Sequence, residues 1–189
     1  MDVIKAVSST SLEYTAVYNG LFLDYFVAPK VKTYLYPLAI AVDIANNTAA
    51  IPGSGDYNVV FTHTTDVAKY VVALLSAGKW ETESFIIGDK VTINEFVKIA
   101  EAARGLQFTI THDEVETLEK GQITELPSHP KMYPFFPKHA IQGMFSAFGR
   151  MWINGTFDFK PSSASLLNER FPDIRPRSVR ELINEAWKA

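Results

Sequence analysis

The chain has 189 residues, of which 47% are hydrophobic and 13% aromatic, enough to bury one core, and we treat residues 1–189 as a single domain. The charged fraction of 21% and the net charge of −3 supply no basic surface that would neutralise phosphates, so we expect no nucleic-acid partner. The absence of cysteine excludes disulfides, thiolate catalysis and cysteine-based zinc sites.

The sequence has no recognisable secretion signal or membrane span. Its first residues lack the apolar stretch of a signal peptide, and no apolar run reaches the roughly 18 residues that a spanning helix needs. We therefore expect a cytoplasmic protein without a membrane partner.

The first strong signal along the chain is an apolar strand that ends in a polar turn. Residues 2–7 have the pattern of a helix end, residues 12–18 that of a buried strand, and Asn19 and Gly20 that of a sharp turn. Open α/β sheets bind their ligands in the crevice beyond the carboxyl ends of the strands. The turn is therefore a candidate ligand site, and it leads into an aromatic-rich segment, residues 21–38, without a long regular element.

A hairpin comes next. Residues 40–51 form two apolar arms around Asn46 and Asn47, a pair that tolerates the positive φ of a tight turn. Residues 52–56 predict a turn, and residues 58–61 predict a short strand.

Three helix starts carry a capping box, in which a capping side chain stands three residues before a glutamate. The pairs are Thr92 with Glu95, Asp113 with Glu116, and Ser178 with Glu181. These pairs predict helices over residues 93–103, 114–120 and 179–188. Other patterns predict helices over 66–76 and about 138–148. Strands are expected over 84–87 and 107–111, and an exposed turn at Asp89 and Lys90.

Motifs of several known chemistries are missing from the sequence. The only G-x-G, at residues 53–55, lacks the third glycine of a dinucleotide fingerprint, and we interpret it as a structural turn. No tyrosine stands four residues before a lysine, and the four histidines lack metal-ligand spacing, so we predict no metal site. His63 is expected to bond to loop backbone and Asp66 to act on the dipole of its helix, so the catalytic residues stay unassigned.

Several segments together resemble the NmrA-like, isoflavone-reductase-like branch of atypical short-chain dehydrogenases, and they look most like its fungal members. These segments span nearly the whole chain, at residues 12–15, 19–20, 22–25, 51–56, 60–68, 86–90, 125–129, 133–137 and 171–174. The resemblance implies an α/β fold, an incomplete Rossmann-type fold that comprises the C-terminal strands of the parallel sheet and the smaller substrate-binding α/β region. The glycine-rich strand-turn-helix with which such proteins begin, and which binds NADP(H), is absent from this sequence.

The resemblance also implies where ligands would bind. Tyr18, Asn19 and Gly20 would lie beside the nicotinamide of NADP, while Phe22 and Tyr25 would shape the pocket of a small-molecule substrate. Reductases of the isoflavone type use a lysine in the helix before this strand, which corresponds to a position at or just before Met1. Lys5 is the nearest lysine and is displaced by more than one turn, so it receives no catalytic role.

The resemblance favours an NADP(H)-dependent oxidoreductase of small-molecule, secondary metabolism in a truncated form. Two alternatives stay open: a cofactor-free isomerase, cyclase or ligand-binding protein, and a non-catalytic NADP-sensing regulator. Because the missing strands would leave the edge of the strand at residues 12–18 unpaired, we also expect a homo-oligomer or a partner chain to cover that edge.

Overall fold

The computed structural model describes residues 3–188 and has a mixed α/β architecture with parallel strand pairs. Its strands are β1 (Ala16–Tyr18), β2 (Leu21–Phe22), β3 (Val42–Asp43), β4 (Thr48–Pro52), β5 (Asn58–Thr62), β6 (Glu83–Phe85), β7 (Asp89–Thr92) and β8 (Thr109–Asp113). Its helices are α1 (Val3–Ser8), α2 (Asp24–Val27), α3 (Thr64–Leu75), α4 (Ile93–Arg104), α5 (Val115–Glu119), α6 (Lys138–Ile153), α7 (Leu167–Arg170) and α8 (Val179–Trp187), with 3-10 turns at Ile44–Asn46 and His129–Met132. None of the helices in this described part is long and apolar enough to cross a membrane.

The strands form three small sheets. β1 pairs in parallel with β6, and β5 lies between β2, its parallel neighbour, and the antiparallel β7. In the third sheet β4 lies between the antiparallel β3 and the parallel β8. The parallel pairs with intervening helices are the arrangement that the α/β prediction requires, and the fold prediction is confirmed.

Two apolar clusters hold these elements together. The larger one joins β2 to β5 with α2, α4, α6 and α8, and contains the fully buried Phe61, Phe96 and Trp152. The smaller one packs α3 against β6 and α7 through Tyr70 and Ile86. Val17 of β1 packs against the smaller cluster, whereas β2, β3, β4 and β5 contribute buried residues to the larger one.

Local sequence signals are confirmed where they depend on nearest neighbours. Asn47 has a φ of 52° at the tip of the β3–β4 hairpin. The capping boxes of Thr92 and Ser178 are both formed, with each glutamate side chain accepting a hydrogen bond from the cap backbone. Both features arise within a few residues, so tertiary packing does not override them.

The predicted strand at residues 12–18 is wrong in length and burial. Only Ala16–Tyr18 is strand, its three residues are half-buried, and Leu12 is 68% exposed. The preceding α1 has no buried residue, and its predicted first residue, Asp2, lies outside the described part. Within residues 3–188, β1 pairs with β6 alone, so its other edge has no strand partner. A partner chain at this edge stays a prediction.

Two further local predictions are wrong because long-range contacts decide the outcome. Asp113 does not cap α5; its carboxylate accepts hydrogen bonds from the backbone N–H and hydroxyl of Thr124 instead, and Glu114 takes the cap position without a side-chain bond. Asp89 and Lys90 do not form an exposed turn but begin β7, which pairs with β5. The other predicted helices and strands are present with ends shifted by a few residues.

Candidate functional site

The carboxyl ends of β1 and β6 meet in a group of stacked aromatic rings. Tyr18, the last residue of β1, lies opposite Phe85 in the parallel register, and their rings stack with centroids 4.9 Å apart. Phe159 packs edge-on against Phe85 at 5.4 Å, and the Tyr18 hydroxyl donates a hydrogen bond to Glu83. This aromatic group lies at the edge of the sheet where α/β folds bind ligands.

A lysine on a different strand holds the third ring of this group in place. The ammonium of Lys90, on β7, donates to the carboxylate of Asp158 at 2.9 Å and to the carbonyl oxygen of Phe159 at 2.6 Å. The hydrogen bond from Lys90 is the main reason why the pKa of Asp158 lies below its usual range. Lys90 therefore positions the loop that carries Phe159.

The turn after β1 is shaped by the strand behind it. Gly20 has a φ of +72°, and a Cβ atom at this position would overlap with the carbonyl group of Val60 on β5. Only glycine combines this φ with such a close approach of two backbones. The Asn19–Gly20 kink therefore lets the chain leave β1 and enter β2 beside β5.

Phe22 and Tyr25 lie side by side after this turn. Phe22 ends β2, Tyr25 lies in the short α2, and their rings meet edge to face with centroids 6.2 Å apart. Between them Asp24 is fully buried, and its carboxylate accepts hydrogen bonds from the backbone N–H of Thr64 at 2.8 Å and from the hydroxyl of Thr33. The start of α3 therefore holds α2, and with it Tyr25, in position.

His63 completes this junction as a structural residue. It is the N-cap of α3, its Nδ1 accepts from the backbone N–H of Thr65 and from the guanidinium of Arg177, and its Nε2 lies 3.5 Å from Asp24. Burial is the main cause that lowers the pKa of His63, although the Asp24 carboxylate opposes it. His63 does bond to nearby backbone, but to the first turn of α3 and not to a loop.

A cavity of about 720 Å³ opens next to Tyr25. Its walls are mostly apolar and come from α2, the loop after it, the β3 hairpin, residues 128–136 and the end of α8. The lining residues are Tyr25, Phe26, Ala28, Pro29, Tyr36, Pro37, Leu38, Ala39, Val42, Asp43, Ile44, Ala45, Ser128, Lys131, Met132, Phe135, Phe136 and Trp187. Its volume and apolar character are those of small-molecule sites in proteins.

The predicted site residues divide between these two places. Tyr25 lines the cavity, whereas Phe22 contacts Tyr25 and is not itself part of the lining, and Tyr18, Asn19 and Gly20 lie at the β1 end. Burial and the neighbouring Asp24 raise the pKa of the Tyr25 phenol, so this hydroxyl keeps its proton at neutral pH. The segment from β1 to α2 thus connects the aromatic sheet edge to the cavity.

Sequence reasoning did not identify most of the cavity wall. Trp187 comes from the last helix, where its indole N–H donates to the carbonyl of Phe26, and Asp43 comes from the hairpin. Neither residue stands in a motif, so no local signal could have joined them to Tyr25. The aromatic residues at 133–136 were a visible signal, and two of them, Phe135 and Phe136, lie at the cavity mouth.

The glycine turn at residues 53–55 does not fit a nucleotide phosphate. A Cβ on Gly55 would come within 2.6 Å of the Asn94 amide, whose nitrogen donates to Ser54 and Asp56 and so fills the turn. The interpretation of this turn as structural agrees with these contacts. Among residues 3–188 no group of three or more histidine or acidic side chains is placed to hold a metal ion.

Comparison of the sequence with known proteins finds fungal oxidoreductases. No protein-family model matches the chain. "Oxidoreductase BOA1" of Botryotinia fuckeliana is 36% identical over 174 residues, which cover 92% of this chain and 54% of that protein. "Oxidoreductase swnN" of Metarhizium robertsii is 28% identical over 186 residues, which cover 93% of this chain and 52% of that protein. The chain therefore spans about half the length of the curated relatives it matches.

Comparison with solved structures finds the same fold in several reductases. The structure of AtPrR2 without ligands superimposes with a TM-score of 0.71 and 16% identity over 97% of this chain and 57% of that one. An isoflavone reductase gives a TM-score of 0.67 at 17% identity, over 97% and 54% of the two chains. Leucoanthocyanidin reductase from Vitis vinifera, in a ternary complex, gives 0.69 at 14% identity, over 97% and 58%. At these identities the likeness concerns the fold.

Proposed function

We propose that this chain, a member of the NmrA-like and isoflavone-reductase-like family, is the substrate-binding part of an NADP(H)-dependent oxidoreductase of secondary metabolism that acts on a small organic molecule. The observation that carries the proposal is the continuous segment from Tyr18 to Tyr25, which joins the sheet edge to the cavity. A redox cofactor and a substrate have to meet, and this segment offers adjoining surfaces for both.

The nicotinamide would lie against the end of β1. Tyr18 ends β1 with its ring stacked on Phe85, and Gly20 turns the chain beside it, where its backbone packs against the carbonyl of Val60. Phe22, in edge-to-face contact with Tyr25, would help to shape the substrate pocket beside the nicotinamide. The substrate would reach this point from the cavity, in contact with Tyr25.

The protein groups in this arrangement bind and orient rather than react. Tyr18, Asn19 and Gly20 would lie beside the nicotinamide of a bound NADPH, which would supply the hydride for reduction of the substrate. The Tyr25 hydroxyl has no hydrogen-bond partner among residues 3–188 and stays protonated, so it can donate a hydrogen bond to a substrate oxygen or nitrogen. Such a bond would orient the carbon that accepts the hydride.

The residues of this chain do not fit the phosphates of the cofactor. The sequence has no glycine-rich dinucleotide fingerprint, and Asn94 fills its one G-x-G turn. We propose that the phosphate-binding loop comes from polypeptide beyond these 189 residues.

A second candidate is a cofactor-free ligand-binding protein or isomerase. The observation that favours it is that this chain lines a mostly apolar cavity of about 720 Å³, while its one G-x-G turn does not fit a nucleotide phosphate. Such a protein would bind an organic ligand without any nucleotide.

Titration of the purified chain with NADPH, followed by the fluorescence of its nicotinamide, tests the redox proposal. Because the chain would offer the nicotinamide surface without the phosphate-binding loop, we expect weak but saturable binding through the nicotinamide end, which Tyr18→Ala weakens by about two- to ten-fold, the value of one aromatic stack. Tyr34→Ala, which changes a tyrosine that is 88% exposed and outside the cavity, is the matched control and should leave binding unchanged. Absence of saturable NADPH binding would contradict the redox proposal for this chain and favour the cofactor-free candidate.

A further inference from the structure

The cavity contains one buried carboxylate. Asp43, at the end of β3, is 2% exposed and lines the cavity among apolar side chains. Its Oδ2 accepts hydrogen bonds from the side-chain amide of Asn46 at 2.9 Å and from the backbone N–H of Ser128 at 2.8 Å. A carboxylate at this depth is costly unless donors satisfy it.

The second oxygen of this carboxylate has no donor. Oδ1 of Asp43 forms no hydrogen bond or ion pair with any residue between 3 and 188, yet it is not among the fully occluded unpaired atoms of that part of the chain. It is therefore reachable, and Asp43 is one of the residues that line the cavity. A hydrogen-bond donor on a ligand would satisfy this oxygen.

The nearest ionisable groups do not neutralise Asp43 from within. His129 is buried. Its Nε2 donates to the carbonyl of Ala39 and its Nδ1 accepts from the N–H of Leu126, so the ring is neutral. Burial lowers the pKa of the ring, which disfavours its protonated form. Lys131 lines the cavity mouth and is exposed, and no carboxylate of the described residues forms an ion pair with it. The charge of an exposed lysine is screened by water, whereas a buried carboxylate acts through a medium of lower dielectric constant.

Aromatic rings form part of the cavity lining, beside aliphatic side chains. Six aromatic residues line the cavity, namely Tyr25, Phe26, Tyr36, Phe135, Phe136 and Trp187. The ammonium group of Lys30 already lies over the ring of Trp187, with Nζ 3.8 Å from the ring centroid. Faces of tyrosine, tryptophan and phenylalanine attract cations, and a cage of such rings with a carboxylate is a recognised way to bind an organic ammonium group.

We propose that this cavity binds an organic amine in its protonated form, with the ammonium group donating to Oδ1 of Asp43 and an apolar body lying among the aromatic rings. The proposal deepens the proposed function, because it names the class of substrate, and it rests on that function for the substrate role. The binding step itself requires no nucleotide.

Three small molecules with one naphthalene body test the proposal by isothermal titration calorimetry at pH 7, without nucleotide. They are 2-naphthylmethylamine, which is cationic, 2-naphthalenemethanol, which is neutral, and 2-naphthoate, which is anionic. We expect the amine to bind about ten-fold more tightly than the alcohol, as a charge-assisted hydrogen bond would give, and the carboxylate to bind most weakly.

Variants of this chain then identify the groups responsible. Asp43→Asn keeps the side-chain shape and should abolish the preference for the amine. Lys131→Met removes a repulsive charge and should tighten amine binding by about two-fold, a value typical of exposed charges. Lys120→Met is the matched control, because Lys120 is exposed and outside the cavity, and should change nothing.

Each outcome decides the proposal. Equal affinities for the three compounds, or a preference for 2-naphthoate, overturn it, and so does failure of all three to bind. If Asp43→Asn does not fold, the ligand series and the Lys131 variant still decide. Amine binding without any NADPH binding would support this inference while contradicting the redox proposal, so the two failures are distinguishable.

Discussion

The backbone of Gly20 lies so close to the carbonyl group of Val60 that no side chain fits between them. This approach lets β2 pair in parallel with β5 immediately after the chain leaves β1. Gly20 belongs to one of the family-like segments. The packing of this chain by itself therefore also explains why this position is a glycine. A role beside the nicotinamide remains a proposal.

Gly20→Ala should lower the free energy of unfolding by about 3 kcal/mol, because the left-handed φ and the overlap with Val60 both oppose a Cβ atom. Gly105→Ala is the matched control, since Gly105 has a similar φ of +64° and open space around it, and should cost only about 1 kcal/mol. Urea denaturation of both variants measures the difference. Equal losses would mean that strand β5 can move away from residue 20.

Tyr25→Phe should leave the free energy of unfolding within about 0.5 kcal/mol of the wild type, because the Tyr25 hydroxyl has no partner among residues 3–188. Tyr70→Phe should lose about 1–2 kcal/mol, because the buried Tyr70 hydroxyl donates to the carbonyl of Ile174 and accepts from Asn168. Thermal unfolding of the pair tests this contrast. A large loss in Tyr25→Phe would assign its hydroxyl a structural role and weaken its proposed role toward a ligand.

Lys90→Met should raise the pKa of Asp158 toward its ordinary value and destabilise the fold by about 1 kcal/mol. The folded-state pKa of Asp158 is depressed, so its contribution is present above the unfolded value of about 3.9 and is lost as the pH falls below it. Unfolding measured between pH 6 and pH 3 should therefore show a shallower acid loss in this variant.

Lys160→Met is the control for that experiment, because Lys160 contacts the same carboxylate but is 80% exposed. Its effect should stay below about 0.5 kcal/mol. Similar effects of the two variants would show that Asp158 gains nothing particular from Lys90. An NMR titration of the Asp158 carboxyl carbon supplies an independent readout.

The buried histidines should make the fold less stable in mild acid. Burial lowers the pKa of His63 and of His129 in the folded state, so the unfolded chain binds more protons once the pH falls below its value of about 6.5. The free energy of unfolding should therefore be constant above pH 7 and should decrease below about 6.5. NMR titration of the two rings should give midpoints below 6.5, and midpoints above that value would contradict the prediction.

Signals that span a few residues predicted structure well, whereas those that depend on distant partners did not. The capping boxes at Thr92 and Ser178 and the turn at Asn47 act within their own segments, and each is formed. Asp113 stands in the same capping pattern, yet its carboxylate accepts hydrogen bonds from Thr124 and does not cap the helix. A capping pattern cannot reveal such a competitor.

The candidate site shows the same division. Tyr25 was identified beforehand because it belongs to a family-like segment, and it lines the cavity. Asp43 and Trp187 were not identified, because each stands alone in its segment and reaches the cavity only through the packing of the β3 hairpin and α8 against α2.

The sequence by itself determined the hairpin and most helix starts, because these depend on local spacing and capping, and its resemblance to a known family implied the α/β class. Tertiary structure alone decided that the 12–18 strand is short and half-buried with one unpaired edge, that Gly20 faces Val60, and that a buried carboxylate lies within an aromatic cavity. The physical reason is that burial, close backbone approach and the sharing of hydrogen bonds are properties of residues brought together from distant parts of the chain.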